Sequence, residues 1–216
     1  MKILVFSDTH LTNHFDEKKF RFLIKIISPV DRVFILGDFW DGYQTTFSKF
    51  INSQWKKLFP LLKRKNAVYC FGNHDRKEYA DSRLSLFSSI QTKQFCQKIG
   101  KHTFIFEHGD RLYQSIDMKI NSHILITFLT FIAHRILGNI FYKTGINPFR
   151  LIFRNESKNI QKKIELEKRP NEIYICGHIH EAMKKEYYAN PGYIDYGNGQ
   201  YIIIDNGKIK MKQEKY

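Results

Sequence analysis

Residues 67–75 read Ala-Val-Tyr-Cys-Phe-Gly-Asn-His-Asp. Five apolar residues run without interruption and stop at a glycine followed by three polar side chains. A short run rich in β-branched and aromatic residues, closed by glycine, reads as a buried strand ending at a loop. The same phrase recurs along the chain. Ile3 to Phe6 precede Ser7-Asp8-Thr9-His10, and Val33 to Leu36 precede Gly37-Asp38-Phe39-Trp40-Asp41. Phe104 to Phe106 precede Glu107-His108-Gly109-Asp110, and Ile173 to Cys176 precede Gly177-His178-Ile179-His180. Five strands therefore each deliver Asp, Asn or His at the C-terminal end, the edge on which open α/β sheets bind ligands.

Between the strands the periodicity changes. Phe20, Leu23, Ile24 and Ile27 follow the spacing of a buried helix face. Phe47, Phe50, Ile51, Leu58 and Leu61 predict a second helix, with Pro60 disturbing its end. Strands alternating with helices predict an α/β fold. Past residue 180 the pattern turns strand-rich: Tyr187-Tyr188, Ile194, Tyr201 to Ile204 and Lys208 to Met211 predict short antiparallel strands, with Asp205-Asn206-Gly207 as a turn. Between the fourth and fifth motif strands, residues 112–168 predict a helical cap insertion. Residues 118–155 hold no acid but carry Lys119, Arg135, Lys143, Arg150 and Arg154, and Ile124 to Ala133 is apolar apart from two threonines.

A chain of 216 residues suits one domain, 1–216, carrying this insertion. With 43% apolar residues, 19 Phe and 12 Tyr, it can bury a large core, which excludes a disordered class. Its 35 Lys and Arg against 21 Asp and Glu give +14, a surface that attracts anions: nucleic acid, anionic headgroups or phosphorylated substrates. A solvated lysine-rich surface explains the same count. Three cysteines make no disulfide framework and fit a reducing compartment. The apolar run in MKILVFSDTH is too short for a secretory signal, and no stretch reaches the length of a membrane span. The expected compartment is the cytoplasm, with a peripheral position at the inner face of the membrane left open.

Carboxylate, amide and imidazole donors together suit borderline divalent metals such as Mn, Fe or Zn. Seven such groups are too many for one ion and fit two that share a carboxylate. The motif series D-x-H, G-D-x-x-D, G-N-H-D, H-G and G-H-x-H, spanning residues 8 to 180 in that order, resembles the calcineurin-like metallophosphoesterase superfamily. The resemblance implies an α/β/β/α sandwich of two mixed β-sheets flanked by helices. It implies that Asp8, His10 and His180 hold one ion, that Asn73, His108 and His178 hold a second, and that Asp38 bridges them. Two divalent ions, Mn2+ in the first instance, would activate a bridging hydroxide that attacks phosphorus in line. His74 would stabilise the transition state or protonate the leaving oxygen, oriented by Asp41.

Within that superfamily the layout is similar to the UDP-2,3-diacylglucosamine pyrophosphatases: a helical insertion between HGD and GHIH, the wording GDFWDG, and a strand-rich tail. This implies a nucleotide-linked lipid diphosphate as substrate, with the basic, apolar cap receiving acyl chains or resting on an anionic membrane surface. The alternative is a phosphodiesterase or nuclease acting on nucleic acid or a cyclic nucleotide. For the cap, plain packing or a homodimer interface is the competing role. Arg76, Lys77 and Arg111 are candidate phosphate contacts, a solvated rim being the alternative.

Overall fold

The computed structural model describes residues 1–113, 132, 135–140, 143–144, 148 and 153–216. The first sheet has seven strands. Within it β1 (Lys2–Phe6), β2 (Arg32–Leu36), β3 (Val68–Cys70) and β4 (Ile90–Thr92) run parallel in that order, with β4 at one edge. The second sheet has five strands: β5 (Gln94–Ile99), β6 (His102–Glu107), β7 (Glu172–Cys176), β8 (Met183–Lys184) and β9 (Tyr188–Asn190), ordered β5-β6-β7-β9-β8. The first sheet is completed by β10 (Ile194–Asp195), β11 (Asn198–Asp205) and β12 (Lys208–Lys215); β11 runs antiparallel to β1, β10 and β12.

The two-residue period of a strand sorts its side chains into layers. Ile3 and Val5 point to one face of the first sheet, where Phe34, Leu36, Val68 and Cys70 meet Phe104, Phe106, Ile173 and Ile175 of the second sheet. Leu4 and Phe6 point to the other face, under the helices α1 (Glu17–Ile27), α2 (Phe47–Asn52) and α3 (Phe59–Arg64). The outer face of the second sheet, Ile105, Tyr174, Cys176 and Tyr188, is covered by Ile160 and Ile164 of α4 (Arg154–Glu167). Helix, sheet, sheet, helix is the sandwich expected.

Differences from the sequence expectations have local causes. α1 starts where Asp16 accepts the amide of Lys19, and its inner face is Phe22, Leu23, Ile26 and Ile27; Phe20 and Ile24 are half-buried at its flank. The second expected helix is three pieces, because the hydroxyl of Ser53 accepts the amide of Trp55 and opens a 3-10 turn over Gln54–Leu58. Pro60 then lies in the first turn of α3, where its missing N–H costs nothing, so it begins a helix instead of disturbing an end. The tail strands are antiparallel except β9, which runs parallel to β7. Asn206 and Gly207 both take the left-handed backbone that a two-residue hairpin turn needs.

Most of the insertion, including Ile124 to Ala133 save Ile132, lies outside the described residues. Its end does not: α4 packs on the second sheet as part of the sandwich. Leu137 and Phe153 pack against Tyr193, beside the C-terminal ends of the strands. Among the described residues no helix is long and apolar enough to cross a membrane.

Candidate metal centre

The central strands stop within three residues of a chemically active side chain. Asp8 follows β1, Asp38 follows β2 and Asn73 follows β3, while His108 follows β6 and His178 follows β7. The two sheets lie face to face, so these ends converge. All seven expected ligands are buried: Asp8, His10, Asp38, Asn73, His108, His178 and His180. Five of them, Asp8 (φ 54°), His10 (φ 44°), Asp38 (φ 50°), His178 (φ 74°) and His180 (φ 50°), adopt a left-handed backbone. That conformation costs on the order of 1–2 kcal/mol for a residue with a Cβ, and such strain collects where function over-determines the backbone.

The donor atoms fall into two neighbouring groups. In one, His180 Nε2 lies 3.3 Å from Asp8 Oδ1 and 3.4 Å from His10 Nε2. In the other, His108 Nε2 lies 3.2 Å from Asp38 Oδ2, 2.9 Å from Asn73 Oδ1 and 3.2 Å from His178 Nδ1. Within each of Asp8/His10/His180 and Asp38/His108/His178 the ligand atoms lie within 4.8 Å of one another. The backbone locks the groups together: His178 N donates to Asp8 Oδ2 (3.1 Å) and His74 N to Asp38 Oδ1 (2.9 Å).

These residues fit divalent cations. Asp8 Oδ1 is buried and accepts no hydrogen bond among the described residues. His108 Nδ1 lies 2.8 Å from the carbonyl of Leu36, which as an acceptor takes its N–H and leaves Nε2 as the inward donor atom. The protonation balance points the same way. Burial works against a charged Asp38, but His108 and His74 beside it hold it well below the carboxylate range. Burial likewise disfavours a charged His108, but Asp38 overrides it and raises it well above the imidazole range. His178 is pushed down to about 4 by burial and by His108. Asp38, the candidate bridging ligand, is thus held as the carboxylate that metal binding requires.

His74 sits outside both groups. Its Nδ1 is 3.2 Å from Asp41 Oδ1, and its Nε2 faces inward, 4.0 Å from Asp38 Oδ2. Asp41 is held in turn by the amide of Tyr43 (2.9 Å) and by Gln44 Nε2 (2.7 Å). Asp41 also reaches His10 Nδ1 at 3.8 Å, so the histidine pair shares one carboxylate.

The three cations expected to meet substrate line one cavity of about 870 Å³ together with five acids, Glu78, Glu107, Asp110, Glu167 and Glu172, and none of the seven candidate ligands is among its lining residues. Arg76 donates to the carbonyl of Asn73 (3.2 Å) and to the hydroxyl of Tyr43 (3.4 Å). Lys77 lies on the wall with Lys93. Arg111 is clamped between Glu107 (3.1 Å) and Glu167 (3.0 Å), and those bonds raise its already high pKa.

Three contributors have no role in the sequence expectations: Asp75, although it closes the G-N-H-D motif, and Tyr43 and Tyr193, which lie outside the motifs. Asp75 accepts the amides of Phe39 and Gly72, both at 2.7 Å, and ties the loops after β2 and β3 together; burial and Asp38 push it up to about 7. Tyr193 stacks on His180 with ring centroids 5.3 Å apart. Tyr43 lies against His74 with centroids 4.4 Å apart.

The model of the family described as calcineurin-like phosphoesterase matches residues 1–182. No curated protein matches the chain. Among solved structures, an archaeal phosphodiesterase is similar over 100% of both chains at 18% identity, TM-score 0.55. Yfce, a phosphoesterase from E. coli, is similar over 100% of this chain and 99% of its own, at 16% identity and TM-score 0.47. Vps29 from Entamoeba histolytica is similar over the same shares at 15% identity, TM-score 0.47.

Proposed function

The chain belongs to the calcineurin-like phosphoesterase family of metal-dependent hydrolases, and we propose that it cuts a phosphodiester or diphosphate bond with two divalent ions. The observation that carries this reading is the convergence of buried donors from both sheets into the groups Asp8/His10/His180 and Asp38/His108/His178, with His10/Asp41/His74 as a third cluster sharing His10. Asp8, His10 and His180 would hold one ion, Asn73, His108 and His178 the other, with Asp38 between them; manganese suits these donors, as do iron and zinc. When bound, the ions supply positive charge for the phosphoryl oxygens and water acidic enough to ionise near neutral pH.

The chain's own groups do the rest. Asp41, fixed by Tyr43 N and Gln44, keeps the proton on His74 Nδ1 and stabilises the charged ring. His74 then presents Nε2 toward the cluster and delivers a proton to the departing oxygen. The strained loops need no rearrangement at the moment of reaction, which is where preorganised charge gains its advantage over water. Arg76, bonded to the carbonyl of Asn73, is the phosphate contact this reading places beside the centre.

For the substrate itself we propose a nucleotide-linked lipid diphosphate of the UDP-2,3-diacylglucosamine kind. The layout of the insertion and the wording of the second motif support it. The net charge of +14 favours a second reading, a phosphodiesterase acting on nucleic acid or a cyclic nucleotide. The test incubates the manganese-loaded protein with UDP-diacylglucosamine, single-stranded DNA and a bis-aryl phosphate, and identifies products by mass. UMP together with the lipid phosphate is the expected result. Cleavage of DNA alone would establish the second reading. No hydrolysis of any of the three at saturating metal would overturn both.

A further inference from the structure

Lys19 is a charged residue with no place in the motif series, yet it is only 5% exposed. It projects from the first turns of α1, where the helix otherwise presents apolar side chains to the first sheet. Burying an ammonium is costly unless it is paired and hydrogen-bonded. Its Nζ is both: it donates to the carbonyl of Thr9 (3.0 Å) and to Asp195 Oδ1.

Thr9 is the residue between Asp8 and His10, the two with left-handed backbone in that loop. Its other bonds all lead to the neighbouring loop. Its amide and that of His10 donate to the carbonyl of Asp38 (2.9 and 3.0 Å), and its hydroxyl donates to the carbonyl of Phe39 (2.7 Å). The carbonyl of Thr9 is turned the opposite way, toward α1, and Lys19 meets it there. Asp195 fixes the lysine from the C-terminal tail, its Oδ1 also accepting the amide of Tyr196 (2.8 Å). The same tail grips the loop twice more, through Ser7 Oγ to the carbonyl of Gly192 (3.2 Å) and the amide of Ile194 to the carbonyl of Asp8 (3.2 Å).

We propose that Lys19, held by Asp195, is a positioning residue for the Asp8/His10/His180 half of the centre. A charge-assisted bond to the Thr9 carbonyl offsets the strain of two successive turns in the left-handed region and sets where Asp8 and His10 point. Among the described residues Lys19 bonds to none of Asn73, His108 or His178, where the charged contact is instead Arg76 to the carbonyl of Asn73 (3.2 Å), so the direct effect of Lys19 falls on the Asp8/His10/His180 half. This inference rests on the two-ion reading above, and its test separates the two.

The experiment measures manganese binding to the full chain, its Lys19→Met variant and its Lys19→Arg variant, by equilibrium dialysis and by the magnetic coupling between paired Mn2+ ions. The parent is expected to bind two ions with a coupled signal. K19M keeps its fold by circular dichroism, binds one ion as the parent does, and binds the second at least about 10-fold more weakly, the size of effect seen when groups supporting metal ligands are removed. The coupled signal is lost at low manganese and returns at high manganese. K19R, which keeps the charge, recovers part of the affinity. Two ions bound to K19M with parent affinities would overturn the inference and leave the two-ion reading intact. A parent that binds fewer than two ions would overturn that reading instead. If K19M fails to fold, Asp195→Asn, which releases one end of the lysine, carries the test: unchanged affinity at both sites would overturn the inference.

Discussion

His74 and Asp41 show how much of the chemistry rests on single side chains. The ring of His74 is pinned through Nδ1, with Asp41 itself held by Tyr43 N and Gln44, so under the proposed mechanism Nε2 is the atom that delivers the proton. His74→Ala is expected to lower kcat by about 10²–10⁴-fold on substrates with a poor leaving group, and much less where the leaving oxygen is a stable aryloxide that needs no proton. Bound manganese should stay at the parent value. Rates across a series of leaving groups check this; an equal loss on every substrate would remove His74 from proton delivery. Asp41→Asn should follow the same trend with a smaller loss. These residues, like the seven candidate ligands, were legible in the sequence because each lies in a short motif after an apolar run. Asp75 was visible in the same motif, but its role was not: it binds the amides of Phe39 and Gly72, a contact between loops that no local pattern encodes. Lys19 was hidden in the same way, as one lysine among many, its partners Thr9 and Asp195 far from it or on another element.

At the scale of elements, legibility follows burial. β1, β2, β3 and β7 were readable because each holds three or four consecutive buried apolar residues, as a strand covered on both faces does. β5 gave no such signal. It edges the second sheet, and Gln94, Cys96 and Lys98 face solvent while Phe95, Gln97 and Ile99 turn inward. The stretch from 47 to 64 reads as one helix because its apolar spacing continues across Ser53, whereas the hydroxyl of Ser53 breaks it by capping a 3-10 turn. Pro60 separates the two interpretations energetically. In the interior of a helix, proline costs about 3 kcal/mol relative to alanine, so Pro60→Ala would stabilise a continuous helix by that order. In the first turn of α3 its ring is preorganised and no donor is lost, so Pro60→Ala is expected to change stability by less than about 1 kcal/mol, toward destabilisation. Urea unfolding of the two proteins decides, and a gain of several kcal/mol would restore the unbroken helix.

The whole molecule is two sheets packed face to face, with the candidate centre on the shared edge where both end. Asp8, His10, Asp38 and Asn73 come from loops of the first sheet, and His108, His178 and His180 from the second. Each half of the centre therefore draws on both sheets: His180 closes the group begun by Asp8 and His10, and Asp38 and Asn73 meet His108 and His178. An ion in either half adds a tie between layers already joined by their apolar interface and by bonds such as His178 N to Asp8 and His108 Nδ1 to the carbonyl of Leu36. Bound metal should accordingly stabilise the fold as a whole, by RT ln(1 + [metal]/Kd), or about 2.7 kcal/mol per ion at a hundred times Kd. Chelation is expected to abolish hydrolysis and to lower the Tm as one cooperative transition, with no separate melting of a single sheet. Adding back manganese should restore both, with activity complete only after the second equivalent. Thermal unfolding followed by calorimetry, at graded manganese and alongside activity, measures the two together. A Tm indifferent to chelator, or full activity at one equivalent, would be incompatible with a two-ion centre built across the sheets.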